Sequence, residues 1–66
     1  MYKDVIIIRK RPSHVFEQGK AYLAEIEQDD MYPYNIDAMI YDEASDYWED
    51  TAYSSFESMR ELWYGI

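Results

Sequence analysis

The residues best suited to chemistry in this chain are oxygen acids. Asp42, Glu43, Asp46, Glu49 and Asp50 crowd one short stretch, and hard carboxylate oxygens at close range are what a calcium site is built from. The spacing does not follow a calcium-binding helix–loop–helix, however, and the glycine that such a loop needs at its sharp turn is missing. A solvated acidic hairpin is the plainer reading, and no metal or other cofactor is expected. Paired carboxylates for glycoside hydrolysis need a sugar cleft between them, which a small sheet with one helix does not offer. Ser13 and His14 are neighbours in sequence, but adjacency alone does not make a nucleophile and its base. There is no cysteine, and His14 is the single histidine. A chain of 66 residues has little room for a substrate pocket of roughly 300 Å³ or more. The expectation is therefore a protein without catalysis.

Arg9-Lys10-Arg11 is the one cationic run. It could touch phosphate, yet the whole chain carries a formal charge of −8, and that field repels nucleic acid. No direct nucleic-acid binding is expected. The run serves as a soluble strand end, neutralises part of the protein's own acidic surface, or meets a second copy. The charge is unevenly partitioned. Residues 1–12 hold four cations against Asp4, a balance of +3, and residues 13–66 hold Lys20 and Arg60 against thirteen acids, a balance of −11.

The positioning elements follow from hydrophobic periodicity. Residues 2–11 read as a strand, and the continuous run Val5-Ile6-Ile7-Ile8 suits one covered on both sides. Residues 13–28 allow two readings. As a helix, Ser13 caps and Val15, Phe16, Gly19, Tyr22, Leu23 and Ile26 share a face. As strands, residues 15–17 form a short edge segment, Gln18-Gly19 a turn, and Tyr22, Ala24 and Ile26 alternate with Leu23, Glu25 and Glu27. The strand reading is preferred, because the glycine sits where a turn wants it and Asp29-Asp30 would end a helix against its dipole.

Residues 29–34 are a connection. Residues 35–42 form a strand with Ile36, Ala38 and Ile40 on one side and Asp37, Met39 and Tyr41 on the other. Residues 43–45 make a hairpin loop, and residues 46–51 return with Trp48 inward and Tyr47, Glu49 and Thr51 outward. Ser54-Ser55-Phe56-Glu57 is a capping box with Ser54 as cap. It opens a helix from residue 55 to about residue 64 that aligns Phe56, Met59, Leu62, Trp63 and Ile66, with Gly65 as its stop.

The predicted architecture is one α+β domain over residues 1–66: an antiparallel sheet of three to four strands with the C-terminal helix packed on one face, or with an additional helix at residues 13–28. Without cysteine, no disulfide can staple it, so its twelve aromatics (8 Tyr, 2 Trp, 2 Phe) must supply the core, Trp48, Trp63, Phe16 and Phe56 foremost. Self-association is the other stabilising device, so a monomer or a homodimer is expected. The longest apolar run, Val5-Ile6-Ile7-Ile8, is far short of the ~20 residues of a membrane span. No secretory signal is visible, and a cytoplasmic protein with no membrane contact is expected.

In this arrangement Glu25, Glu27, Asp37, Tyr41, Tyr47 and Glu49 face away from the helix, with Asp42, Asp46 and Asp50 beside them. Strands hold side chains on a lattice of about 6.7 Å along and about 4.8 Å across. A domain of this size is roughly 28 Å across. The −11 balance thus amounts to about one charge per 2.5 Å, against one per about 1.7 Å for duplex DNA. A basic groove that takes nucleic acid could take this surface instead. Tyrosine adds apolar area and a hydrogen-bonding tip, the mixture that interface cores favour. The plain alternative is a surface that only keeps a small protein soluble.

The stretch Asp37, Tyr41, Asp42, Glu43, Asp46, Tyr47, Glu49 and Asp50, with the overall balance, resembles the small acidic DNA-mimic inhibitors of phages and mobile elements: glycosylase inhibitors, anti-restriction proteins and anti-CRISPR proteins. The resemblance is one of composition and covers residues 25–57. It implies a stoichiometric inhibitor of a basic, nucleic-acid-handling protein. Two further readings stand beside it: a structural or regulatory protein that dimerises or docks through its aromatic helix face, and a divalent-cation module.

Overall fold

Period-two alternation builds most of the molecule. The computed structural model describes residues 2–28 and 36–66. It contains strands β1 (Tyr2–Arg9), β2 (Ala21–Gln28), β3 (Ile36–Asp42) and β4 (Tyr47–Tyr53), a short helix α1 (Phe56–Arg60), and a two-residue strand β5 (Trp63–Tyr64). All described pairings are antiparallel, in the order β4-β3-β2-β1-β5. The expected antiparallel sheet is present, with five strands rather than three or four among the described residues. The expected C-terminal helix is present only in part: it is five residues long and is followed by β5. The connection read at residues 29–34 lies outside the described residues.

The preferred reading of residues 13–28 holds for its second half. β2 turns Tyr22, Ala24 and Ile26 inward and leaves Glu25 and Glu27 exposed. Gln18-Gly19 is the turn before it, and Gly19 takes the left-handed φ of +81° that a side chain resists. Residues 15–17 are not an edge strand. Ser13 Oγ accepts from the N–H groups of Val15 and Phe16 at 3.1 and 2.8 Å, a local serine turn that competes with strand geometry. That turn drops the Phe16 ring into the core.

One face of the sheet is closed. Ile7, Tyr22, Ala24, Ile26, Ile36, Ala38 and Ile40 point into it and are buried, with Phe16, Met59 and Trp63 laid over them. Phe16, Tyr22 and Trp63 meet edge to face, with centroids 5.0–5.8 Å apart, the geometry that ring quadrupoles favour. Arg9 is 8 % exposed. Its guanidinium lies 4.9 Å from the Trp63 ring centre and 5.5 Å from that of Phe16, and its Nε donates to the Arg11 carbonyl at 2.8 Å. This cation caps the aromatic cluster.

The C-terminal stripe reaches the core by two elements instead of one. The cap is Ser55, one residue later than expected. Its Oγ accepts from the Ser58 N–H at 3.1 Å, and Ser58 Oγ accepts from the Ser55 N–H at 3.2 Å. Glu57, the expected box partner, is exposed. The helix ends at Arg60 because the backbone of Trp63 and Tyr64 pairs with Arg9 and Ile8 of β1, a non-local contact that a helical stripe does not announce. Gly65, at φ +99°, lies where a Cβ would stand 2.9 Å from the Ile6 carbonyl oxygen; it permits this close pairing and follows a strand, not a helix.

Candidate binding face

The opposite face of the sheet is open. Its membership follows from the register, because residues directly paired in an antiparallel sheet share a face. Glu25 pairs with Met39, and Met39 with Asp50. Glu27 pairs with Asp37, and Asp37 with Ala52. These two rows bring Glu25, Glu27, Asp37 and Asp50, all exposed, onto one patch of three strands. None of the four makes a hydrogen bond or an ion pair with another residue among those described. Glu27 and Asp37 stand directly opposite each other, an arrangement of like charges that works against the sheet.

The hairpin that follows β3 fixes the rest. Its turn covers residues 43–46 rather than 43–45. Asp46 takes a left-handed φ of +53°, which Asp tolerates better than most side chains. Asp42 then pairs with Tyr47 and Tyr41 with Trp48. Trp48 is therefore on the open face, not inward, with its ring 5.2 Å from that of Tyr41. Tyr47, Glu49 and Thr51 turn to the helix side, not outward. The one-residue difference in loop length inverted every side chain of the returning strand. Asp50 changed sides with them and joined the carboxylates of the open face.

Asp42 and Asp46 do local work in this hairpin. Asp42 accepts from the Ala44 N–H and from Ser45 Oγ, each at 3.1 Å, and Asp46 accepts from the Tyr41 hydroxyl at 2.5 Å. That hydrogen bond, with the nearby charges of Asp46, Glu43 and Asp42, holds the Tyr41 hydroxyl above its ordinary pKa of 10.0. Among the described residues no group of three or more His, Asp or Glu side chains is arranged to hold a metal ion. His14 is exposed, and its neighbour Ser13 is engaged in the turn described above.

Of the nine residues expected at the site, Glu25, Glu27, Asp37, Tyr41 and Asp50 share the open face. Asp42 and Asp46 belong to the hairpin end, and Tyr47 and Glu49 lie on the other side. The sequence reading missed Ile6, Ile8, Leu23, Met39, Trp48 and Tyr64, which also belong to this face by register. Alternation within Val5-Ile6-Ile7-Ile8 was the available signal: in an antiparallel sheet, alternate members of such a run must point away from the core. Among the described residues no helix is long and apolar enough to cross a membrane. Comparison of the chain with protein families, with curated proteins and with solved structures gave no match.

Proposed function

We propose that this chain is a non-catalytic binding protein whose open sheet face occupies the basic, nucleic-acid-binding surface of a partner protein. The observation that carries this reading is the quartet Glu25, Glu27, Asp37 and Asp50: four exposed carboxylates on a rigid sheet, without partners among the described residues, two of them directly opposed. A sheet that places like charges face to face loses stability. Cations from a partner would turn that loss into complementarity at the moment of binding. Such surfaces speed encounter and reject wrong partners more than they add raw affinity. The compositional resemblance to DNA-mimic inhibitors supplies the class of partner, a nucleic-acid-handling protein, and the outcome, stoichiometric inhibition. Docking through the aromatic helix stripe is less well supported, since Trp63 and Met59 are consumed by the core.

The test is competition. The partner is captured from a host lysate, identified by mass spectrometry and purified. Labelled DNA or RNA is then displaced from it by this protein. Displacement should weaken steeply with salt. The double variant Glu25→Lys with Asp37→Lys should keep its fold, because both side chains are exposed, and should lose affinity by about two orders of magnitude or more. A partner that still binds nucleic acid normally when saturated with this protein would refute the reading.

A further inference from the structure

The carboxylate quartet fills only half of the open face. The other half is apolar, with a cation at its edge: the Lys10 ammonium lies 4.6 Å from the centre of the Tyr64 ring. Ile6 pairs with Leu23, Leu23 with Tyr41 and Tyr41 with Trp48, one side chain from each of four successive strands. At about 4.8 Å per strand this row is about 14 Å long. A shorter row, Tyr64, Ile8 and Ala21, runs beside it, about 6.7 Å further along the strands. Ile6 and Tyr64 are each 59 % exposed and Ile8 is 40 % exposed. Single exposed apolar residues are ordinary, but a contiguous patch bordered by charge marks a place where something docks.

We infer that this row seats a cationic amphipathic segment of a protein partner, with apolar side chains on Ile6, Leu23, Tyr41 and Trp48 and lysines or arginines over Glu25 and Asp50. The inference rests on the basic-partner reading above and adds the composition of the contact: half apolar, half charged. The charge next to the row selects the occupant. Glu25 lies two residues beyond Leu23 on β2, and Asp50 two beyond Trp48 on β4, so both carboxylates border the row at about 6.7 Å. A second copy of the chain brings another −8, and a nucleic acid or an anionic membrane brings phosphates; each sets like charge against like. A cationic amphipathic segment satisfies both halves. Its dimensions also fit. A helix advances about 5.4 Å per turn, close to the strand spacing of about 4.8 Å. Apolar anchors recurring at i, i+3 or i+4, and i+7 therefore meet one strand after another.

The experiment uses the intact chain and two synthetic peptides of about 14 residues made only of Leu and Lys. In one, the leucines recur at helical spacing; the other has the same composition scrambled. Binding is followed calorimetrically. The patterned peptide should bind one to one, and the scrambled peptide weaker by about tenfold or more. Ile6→Ser and, separately, Trp48→Ala should each weaken the patterned peptide while leaving the scrambled one unchanged. The circular dichroism of both variants serves as the check on folding. Equal affinity for the two peptides would overturn the inference and leave the basic-groove reading standing, since charge alone would then account for recognition. Failure of both peptides to bind at low salt would overturn both. Sedimentation as a stable dimer that Ile6→Ser disperses would give the row to a second copy and also overturn the inference.

Discussion

The two tryptophans of the chain end on opposite faces of one sheet, and their surroundings show how differently the two faces are built. Trp63 is 1 % exposed. It packs edge to face against Phe16 and Tyr22, lies under the Arg9 guanidinium and donates from Nε1 to the Tyr53 hydroxyl at 2.9 Å. Both its apolar body and its polar tip are satisfied. Trp48 is half-buried, with the Tyr41 ring as its aromatic neighbour. The inner face, closed by α1, the Ser13 turn and β5, holds the fold together. The outer face combines exposed isoleucines with carboxylates and is expected to contribute less to stability.

The largest expected effect separates the two faces directly. Trp63→Ala should cost about 3–5 kcal/mol, the usual loss for an aromatic removed from a core. Trp48→Ala should cost about 1 kcal/mol, as expected for a partly exposed site. Urea denaturation of both variants, followed by circular dichroism, makes the comparison. Equal losses would mean that the outer face is part of the core and would break the division between the two faces.

A smaller effect tests what closes the inner face. Ser55→Ala removes the cap of α1 and should cost about 0.5–2 kcal/mol. Ser54→Ala should stay within about 0.5 kcal/mol, since among the described residues the Ser54 hydroxyl meets only Ser58 Oγ, at 3.2 Å. The same denaturation experiment reads both, and a reversed order would return the cap to Ser54.

Smaller still, and of opposite sign, is the effect expected on the outer face. Glu27→Lys replaces two opposed acids with an opposite-charge pair and should stabilise the free protein by about 0.2–1 kcal/mol while weakening the partner complex. Gain of stability with unchanged partner affinity would show that Glu27 is solvated surface and no part of the binding face.

The least perturbing test concerns Tyr41. Its neutral hydroxyl donates to Asp46, and ionisation would replace that bond with repulsion from Asp46, Glu43 and Asp42, so its pKa in the folded protein lies above 10.0. The stabilising contribution is fully present below that pH and is lost as pH rises through the raised folded value. Ultraviolet titration of tyrosinate, with Tyr41→Phe as the difference, should place Tyr41 above 10.0, and Asp46→Asn should move it back toward that value. An unmoved titration in Asp46→Asn would show that the hairpin hydrogen bond does not hold Tyr41 in place.

Strand formation was legible in the residues themselves. Ile36, Ala38 and Ile40 against Asp37, Met39 and Tyr41 alternate so regularly that β3 and its two faces could be assigned from sequence, and Tyr22, Ala24 and Ile26 did the same for β2. Glu25, Glu27, Asp37 and Tyr41 fell on the open face for that local reason. Alternation says only which residues share a side. It does not say which side meets the core when both are partly apolar. In Val5-Ile6-Ile7-Ile8 neither side is polar, so the exposure of Ile6 and Ile8 followed from where the helix and the Ser13 turn lay. In β4 the side was set by one extra residue in the hairpin turn, which reversed Trp48, Glu49 and Asp50 together. Local periodicity thus determined the strands and half of the open face. The other half, and the short helix that gives way to β5, depended on register and on pairing between β1 and β5, contacts between residues far apart in the chain whose energy is gained only when the whole sheet assembles.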